Sequence, residues 1–336
     1  MRMRFLGNTG VKVSEICFGT MTFGGRGFFK PVGETDQKEA DRLVKVSLDA
    51  GVNFFDTADV YSEGLSEEIL GKTLGKRRKD VILATKVRGR MGPGQNDVGL
   101  SRHHILEGCN ASLKRLGTDY IDLYQVHSFD PCTRLEETLR ALDDLVRQGK
   151  VRYIGCSNYA GWQLMKALSI SEKYGWERFV TLQAYYSLVS RDLEHELVPL
   201  CLDQGLGILP WSPLGAGFLT GKYRRGALRP EGARRSSAKG QFLQFDEERG
   251  YDIIDELERI AKEHDGTVAQ AALNYLLCKP GVDSVIIGVR TEAQLIDNLG
   301  TVKWEMTEDE VARLDALSAP PRVYPAWMLE FTSQGR

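Results

Sequence analysis

Eight short apolar runs pace the chain, at 16–19, 53–56, 81–86, 121–127, 151–157, 181–183, 207–211 and 284–289. Each is rich in β-branched and aromatic residues and is continuous rather than alternating. That pattern predicts strands buried on both faces, as in a parallel sheet. Helical patterns lie between them. Ala40, Leu43, Val44, Ser47 and Leu48 share one helical face, with Asp36 and Glu39 as a capping box and Gly51 as a stop. Ile105, Cys109, Leu113 and Leu116 repeat the design after Ser101. Leu135, Leu139, Leu142 and Val146 repeat it again before Gly149.

Strand and helix alternating eight times predict an α/β fold, a (β/α)8 TIM barrel. The rival doubly wound sheet usually carries a GxGxxG turn after its first strand, and none follows here. Residues 4–13 read as a β-hairpin plugging one barrel end. The longest gap, 213–283, holds a polar basic loop and two helices, and the Pro-rich "APPRVYPAW" reads as a C-terminal tail. No linker divides the chain, so residues 1–336 are expected to form a single domain.

Bulk properties narrow the function. A net charge of -2 gives no reason to expect nucleic acid or an anionic membrane as partner. The N-terminal "MRMRFLGNTGVKV" has no long apolar run, which argues against a signal peptide or membrane span. Six scattered cysteines without a CxxC pair read as reduced thiols and suggest the cytoplasm.

Function in such barrels gathers at the C-terminal ends of strands. Taken in order, the barrel strands end in Asp56 (with Tyr61 in the loop beyond), Lys86, His127, Ser157-Asn158, Gln183 and Trp211-Ser212. Singly, each has an ordinary explanation: a turn aspartate, a snorkelling lysine, a core histidine, a loop aromatic. Together they suggest proton transfer to an oxygen. A tyrosine is a weak acid, and a neighbouring ammonium is expected to lower its pKa. Lys86 supplies that ammonium, Asp56 its counter-ion, and His127 a hydrogen bond to the same substrate oxygen. Neither His nor Cys spacing suggests a metal.

Phosphate has its own signal. The last strand runs into "GVRTEAQLIDN" at 288–298, which offers Gly288, Arg290 and a helix N-terminus. Between 222 and 235 stand six cations, among them Lys222 and Arg234, against one acid, Glu231, which suggests a phosphate lid.

These residues resemble the aldo-keto reductase superfamily over nearly the whole chain. "NFFDTADVY" (53–61), "ATK" (84–86), "DLYQVH" (122–127), "GCSN" (155–158), "PWSPLGAGFLTGKY" (210–223) and "IIGVR" (286–290) follow in family order. The branch with Trp before "SPLG" is the most similar; it includes bacterial reductases and potassium-channel β subunits. The resemblance implies an NADPH-dependent carbonyl reductase with a catalytic tetrad of Asp56, Tyr61, Lys86 and His127 and a small-molecule carbonyl substrate. It implies that Ser157, Asn158 and Gln183 hold the nicotinamide carboxamide and that Trp211 stacks on the ring. Thr20 and Met21 would lie beside the nicotinamide ribose, Asp56 would also contact the cofactor, and Ser212, Leu214 and Lys222 would line the pyrophosphate path. Gly288, Arg290, Gln294 and Asn298, with Arg234, would hold the adenosine and its 2′-phosphate. Many relatives carry lysine where this chain has Gly288. Met21, Phe28, Phe29 and Val60 suggest an apolar wall to the substrate pocket. A non-catalytic NADP(H)-binding regulatory subunit is the alternative that the same resemblance allows, and a metal-dependent barrel hydrolase is a more distant one.

Overall fold

A computed structural model describes residues 1–228 and 242–334. All eight expected strands form. They are β3 (Ile16–Gly19), β4 (Phe54–Asp56), β5 (Ile82–Val87), β6 (Ile121–Val126), β7 (Val151–Ser157), β8 (Phe179–Tyr185), β9 (Gly207–Trp211) and β10 (Val285–Ile287), all paired in parallel. The sheet order is β10-β3-β4-β5-β6-β7-β8-β9, and the parallel bridge Ile208–Val282 brings its two edges together. The result is a nearly closed (β/α)8 barrel. The hairpin β1 (Met3–Phe5) and β2 (Lys12–Ser14) caps its N-terminal end.

Helices α1 (Gln37–Asp49), α2 (Leu65–Leu74), α3 (Arg102–Leu116), α4 (Leu135–Arg147), α5 (Gly161–Tyr174) and α6 (Leu197–Gln204) each follow a barrel strand. Both α7 (Glu247–Glu263) and α8 (Val268–Leu277) fall in the long gap before β10, and α9 (Glu292–Leu299) follows β10. Asp36 caps α1 by accepting from the Glu39 backbone N–H, and Gly51, at φ 86°, turns the chain toward β4. Beyond α10 (Glu308–Leu317) lies the expected Pro-rich tail. It ends in a short exposed helix, α11 (Ala326–Thr332). Its prolines all precede that helix, where they do not interrupt it.

Strand parity positions the site. Side chains alternate between the interior of the barrel and the helix layer. The interior holds Cys17, Phe54, Ala84, Leu123, Leu209 and Ile286, closed from below by Leu6 and Val13 of the hairpin. Two residues further along these strands come Gly19, Asp56, Lys86, Gln125, Trp211 and Gly288. An apolar floor therefore carries a polar layer at the C-terminal mouth.

Candidate active site

Lys86 is the centre of that layer. Its side chain is 0% exposed. The Nζ donates to Asp56 Oδ1 at 2.5 Å, to the Thr57 carbonyl at 2.8 Å and to Tyr61 Oη at 3.3 Å. Burial opposes the ammonium, but Asp56 and Tyr61 outweigh it and hold the lysine above its ordinary value. Asp56 Oδ2 accepts from Gln183 Nε2 at 2.9 Å and from Gln125 Nε2 at 3.1 Å. Every polar atom of this ion pair is thus engaged, as a buried charge requires.

Tyr61 corrects one expectation. Burial pushes its hydroxyl up, Lys86 pulls it down, and Asp56 and Asp59 push it up again; the balance lies above the ordinary tyrosine value. The ammonium does act as expected. Desolvation, which a sequence does not display, exceeds it. Tyr61 is therefore a neutral hydroxyl near pH 7, able to donate a proton. The ring of His127 meets Tyr61 edge-on at 5.7 Å. Burial, Lys86 and Arg88 push this imidazole down to about 3, so it is neutral over the physiological range.

Tyr61 and His127 form one end of a cleft of about 660 Å³. Met21, Asp56, Ser157, Asn158, Gln183 and Trp211 line that end. Ser212, Leu214 and Lys222 continue the wall, and Gly288, Arg290, Gln294 and Asn298 line the far end. Asn158 sits at φ 55°, a left-handed conformation that Asn tolerates. Its Nδ2 donates to the His127 carbonyl at 2.9 Å, and its Oδ1 accepts from Trp211 Nε1 at 3.1 Å. Trp211 also stacks on Tyr185, with ring centroids 5.0 Å apart. At the far end, Arg290 donates to the carbonyls of Val32 and Pro31, at 2.9 and 3.0 Å. These bonds tie the strap after β3 to the β10–α9 turn. A Cβ at Gly288 would meet nothing within 4 Å, so this glycine opens the cleft there.

Some expected residues lie elsewhere. The Thr20 side chain is buried away from the cleft, bonded to Ser66 Oγ at 2.8 Å; Gly19, Met21 and Thr22 line the wall instead. Phe29 lines the cleft and meets Tyr61 edge-on at 5.1 Å, but Phe28 turns outward and is 71% exposed. Val60 packs by Gly89. Of the basic run at 222–235, Arg224 pairs with Glu258 and Arg225 with Glu248 and Asp252, all three on α7. Arg234 lies outside the described residues. Gln125 went unnoticed in the sequence. Parity could have found it: Leu123 faces inward, so Gln125 does too.

Fold and site together define a barrel with a long cleft over a buried lysine–carboxylate pair, with a tyrosine and a histidine at one end. The chain belongs to the aldo/keto reductase family, whose model matches residues 15–319. It is 38% identical to an uncharacterized oxidoreductase, YrpG, of Bacillus subtilis, covering 96% of this chain and 97% of that one. It is 35% identical to the versiconal hemiacetal acetate reductase of Aspergillus parasiticus, over 95% of this chain and 98% of that one. It is also 37% identical to a probable voltage-gated potassium channel subunit beta of Arabidopsis thaliana, over 90% and 91% of the two chains.

Proposed function

We propose that this chain is an NADP(H)-dependent carbonyl reductase that converts an aldehyde or ketone to an alcohol, and the reverse, with Tyr61 as proton donor. The observation that carries this reading is Lys86 Nζ, bonded to Asp56 Oδ1 at 2.5 Å and Tyr61 Oη at 3.3 Å under the cleft. The donor set along the cleft fits a dinucleotide. Amide and hydroxyl groups at Ser157, Asn158 and Gln183 suit a carboxamide, Trp211 an aromatic ring, Lys222 a pyrophosphate and Arg290 a further phosphate. The nicotinamide, when bound, supplies hydride.

The residues of the chain do the rest. His127, neutral, donates a hydrogen bond that orients the carbonyl oxygen at the mouth. As hydride reaches the carbonyl carbon, charge develops on that oxygen, and Tyr61 gives it the hydroxyl proton. The tyrosinate left behind lies 3.3 Å from the Lys86 ammonium, which stabilises it until solvent returns a proton. Asp56 holds the ammonium in place. Met21 and Phe29 supply an apolar wall that suits aromatic or medium-chain carbonyls.

The channel-subunit relative favours a second reading, a non-catalytic NADP(H)-binding regulatory subunit. Following NADPH absorbance across a panel of aldehydes and ketones separates the two. Turnover with any class of carbonyl supports the reductase; NADPH binding without turnover on the whole panel supports the regulatory subunit.

A further inference from the structure

Gln125 lies in the polar layer but not on the cleft wall. It is 0% exposed, and its register partners are Lys86 on β5 and Gly155 on β7. Its Nε2 donates to Asp56 Oδ2 at 3.1 Å, while its Oε1 takes a long bond, 3.4 Å, from Gln183 Nε2. Gly155 keeps the space clear: a Cβ there would stand 2.4 Å from Thr181 Oγ1 and 3.3 Å from Gln125 Cγ. Burying a second amide beneath the ion pair costs desolvation that an apolar side chain would avoid. The feature calls for a reason.

We propose that Gln125 is a positioning residue for proton transfer: its buried amide, donating to Asp56 beside Gln183, sets how much of the Asp56 charge acts on Lys86 and Tyr61. The carboxylate has two oxygens with opposite duties. Oδ1 faces the ammonium, and Oδ2 faces two amide N–H groups. Donors on Oδ2 withdraw negative charge from the carboxylate, so it neutralises the ammonium less completely. More positive field then reaches the Tyr61 oxygen, which makes the hydroxyl a better acid. Gln183 lines the cleft and, on the reading proposed above, also serves the carboxamide. Gln125 is out of reach of any ligand and remains a constant donor when Gln183 is engaged.

Other charged or titratable groups face this centre. Asp59, from the β4–α2 loop, is buried, and its Oδ2 has no hydrogen-bond partner among the described residues; burial and Glu67 raise it well above the ordinary carboxylate value. Cys17 of β3 stands near Asp56 and Lys86, and burial raises it too. His127 is neutral, and Arg88 lies beyond it. None of these donates to Asp56 Oδ2, so among the described residues only the two amides donate to that oxygen.

The test is a titration of Tyr61 that needs no turnover. In protein labelled with carbon-13 at the tyrosine ζ position, the Tyr61 resonance is identified by its loss in Tyr61→Phe and followed against pH. Gln125→Met keeps the volume and removes the donor; the Tyr61 midpoint should rise by roughly half to one pH unit. Gln125→Leu also removes the donor and should raise the midpoint by a similar amount. With the alcohol that corresponds to the best carbonyl of the panel, the acidic limb of oxidation should move the same way, while NADPH affinity stays unchanged. A midpoint equal to wild type in either folded variant overturns the proposal, as does lost NADPH affinity with an unmoved midpoint. Because the resonance is read without substrate, failure of the reductase reading and failure of this proposal are separate results.

Discussion

A lysine side chain with no exposed surface should shed its proton, because burial in a medium of low polarity disfavours charge. Lys86 keeps it because one carboxylate oxygen, one carbonyl and one hydroxyl meet its three N–H donors. Asp56, Tyr61, Lys86 and His127 could be singled out in the sequence because each ends or follows a strand, and the structure brings them together at one end of the cleft. Two features could not. The acidity of Tyr61 is set by burial, and the Gln125 amide matters only once neighbouring strands fix its register. Arg290 gives the prediction at this scale. Its bonds to the Pro31 and Val32 carbonyls orient the guanidinium at the far end of the cleft. A charge-assisted contact to a 2′-phosphate contributes about 1.5–3 kcal/mol, roughly ten- to a hundredfold in affinity. Arg290→Ala should weaken NADPH binding by that factor and leave NADH binding almost unmoved. Equal losses for both cofactors in fluorescence titrations would remove Arg290 from phosphate recognition.

Helices and strands were legible where local chemistry and tertiary burial agree. The face of α1 predicted from spacing is the buried face, with Ala40, Leu43, Val44 and Ser47 inside. The capping box was half right: Asp36 accepts from Glu39, and no returning bond from the Glu39 side chain completes it. Strand β8 runs from Phe179 to Tyr185, well past the expected 181–183, because its pairing with β9 continues to Tyr185–Trp211. The α11 helix escaped notice because three prolines just before it mask its pattern, and its residues find no core to face. Ser101 offers a test of the capping argument. Its Oγ accepts from the His104 backbone N–H at 3.2 Å at the start of α3. Ser101→Ala should cost on the order of 1 kcal/mol of stability with turnover unchanged. Urea unfolding coincident with wild type would show that this cap contributes nothing.

At the scale of the molecule, the barrel works because one end is sealed and the other is open. The hairpin is pinned at the sealed end by Asp283, whose Oδ2 accepts from the Gly7 backbone N–H at 2.6 Å. Burial raises the Asp283 carboxyl to about 6, against the pull of Gly7 and Arg4. A carboxyl whose folded pKa lies above its unfolded value stabilises the fold at low pH. That contribution is full below about pH 4 and fades as pH rises through about 6. Asp283→Asn, which cannot ionise, should therefore gain on wild type as pH rises through these limits, by up to about 3 kcal/mol at pH 7. Paired unfolding curves at pH 4.5 and 7 check this; a difference independent of pH would contradict it. The open end unites groups from three strands and a loop, which on the proposed function serve the transfer of one proton. Tyr61→Phe removes the hydroxyl and keeps the ring against Phe29 and His127. Single-turnover oxidation of bound NADPH by the best carbonyl of the panel measures the loss directly. The rate should fall by a factor of about 10² to 10⁴ with an unchanged NADPH dissociation constant; a rate within a few-fold of wild type would contradict Tyr61 as the proton donor.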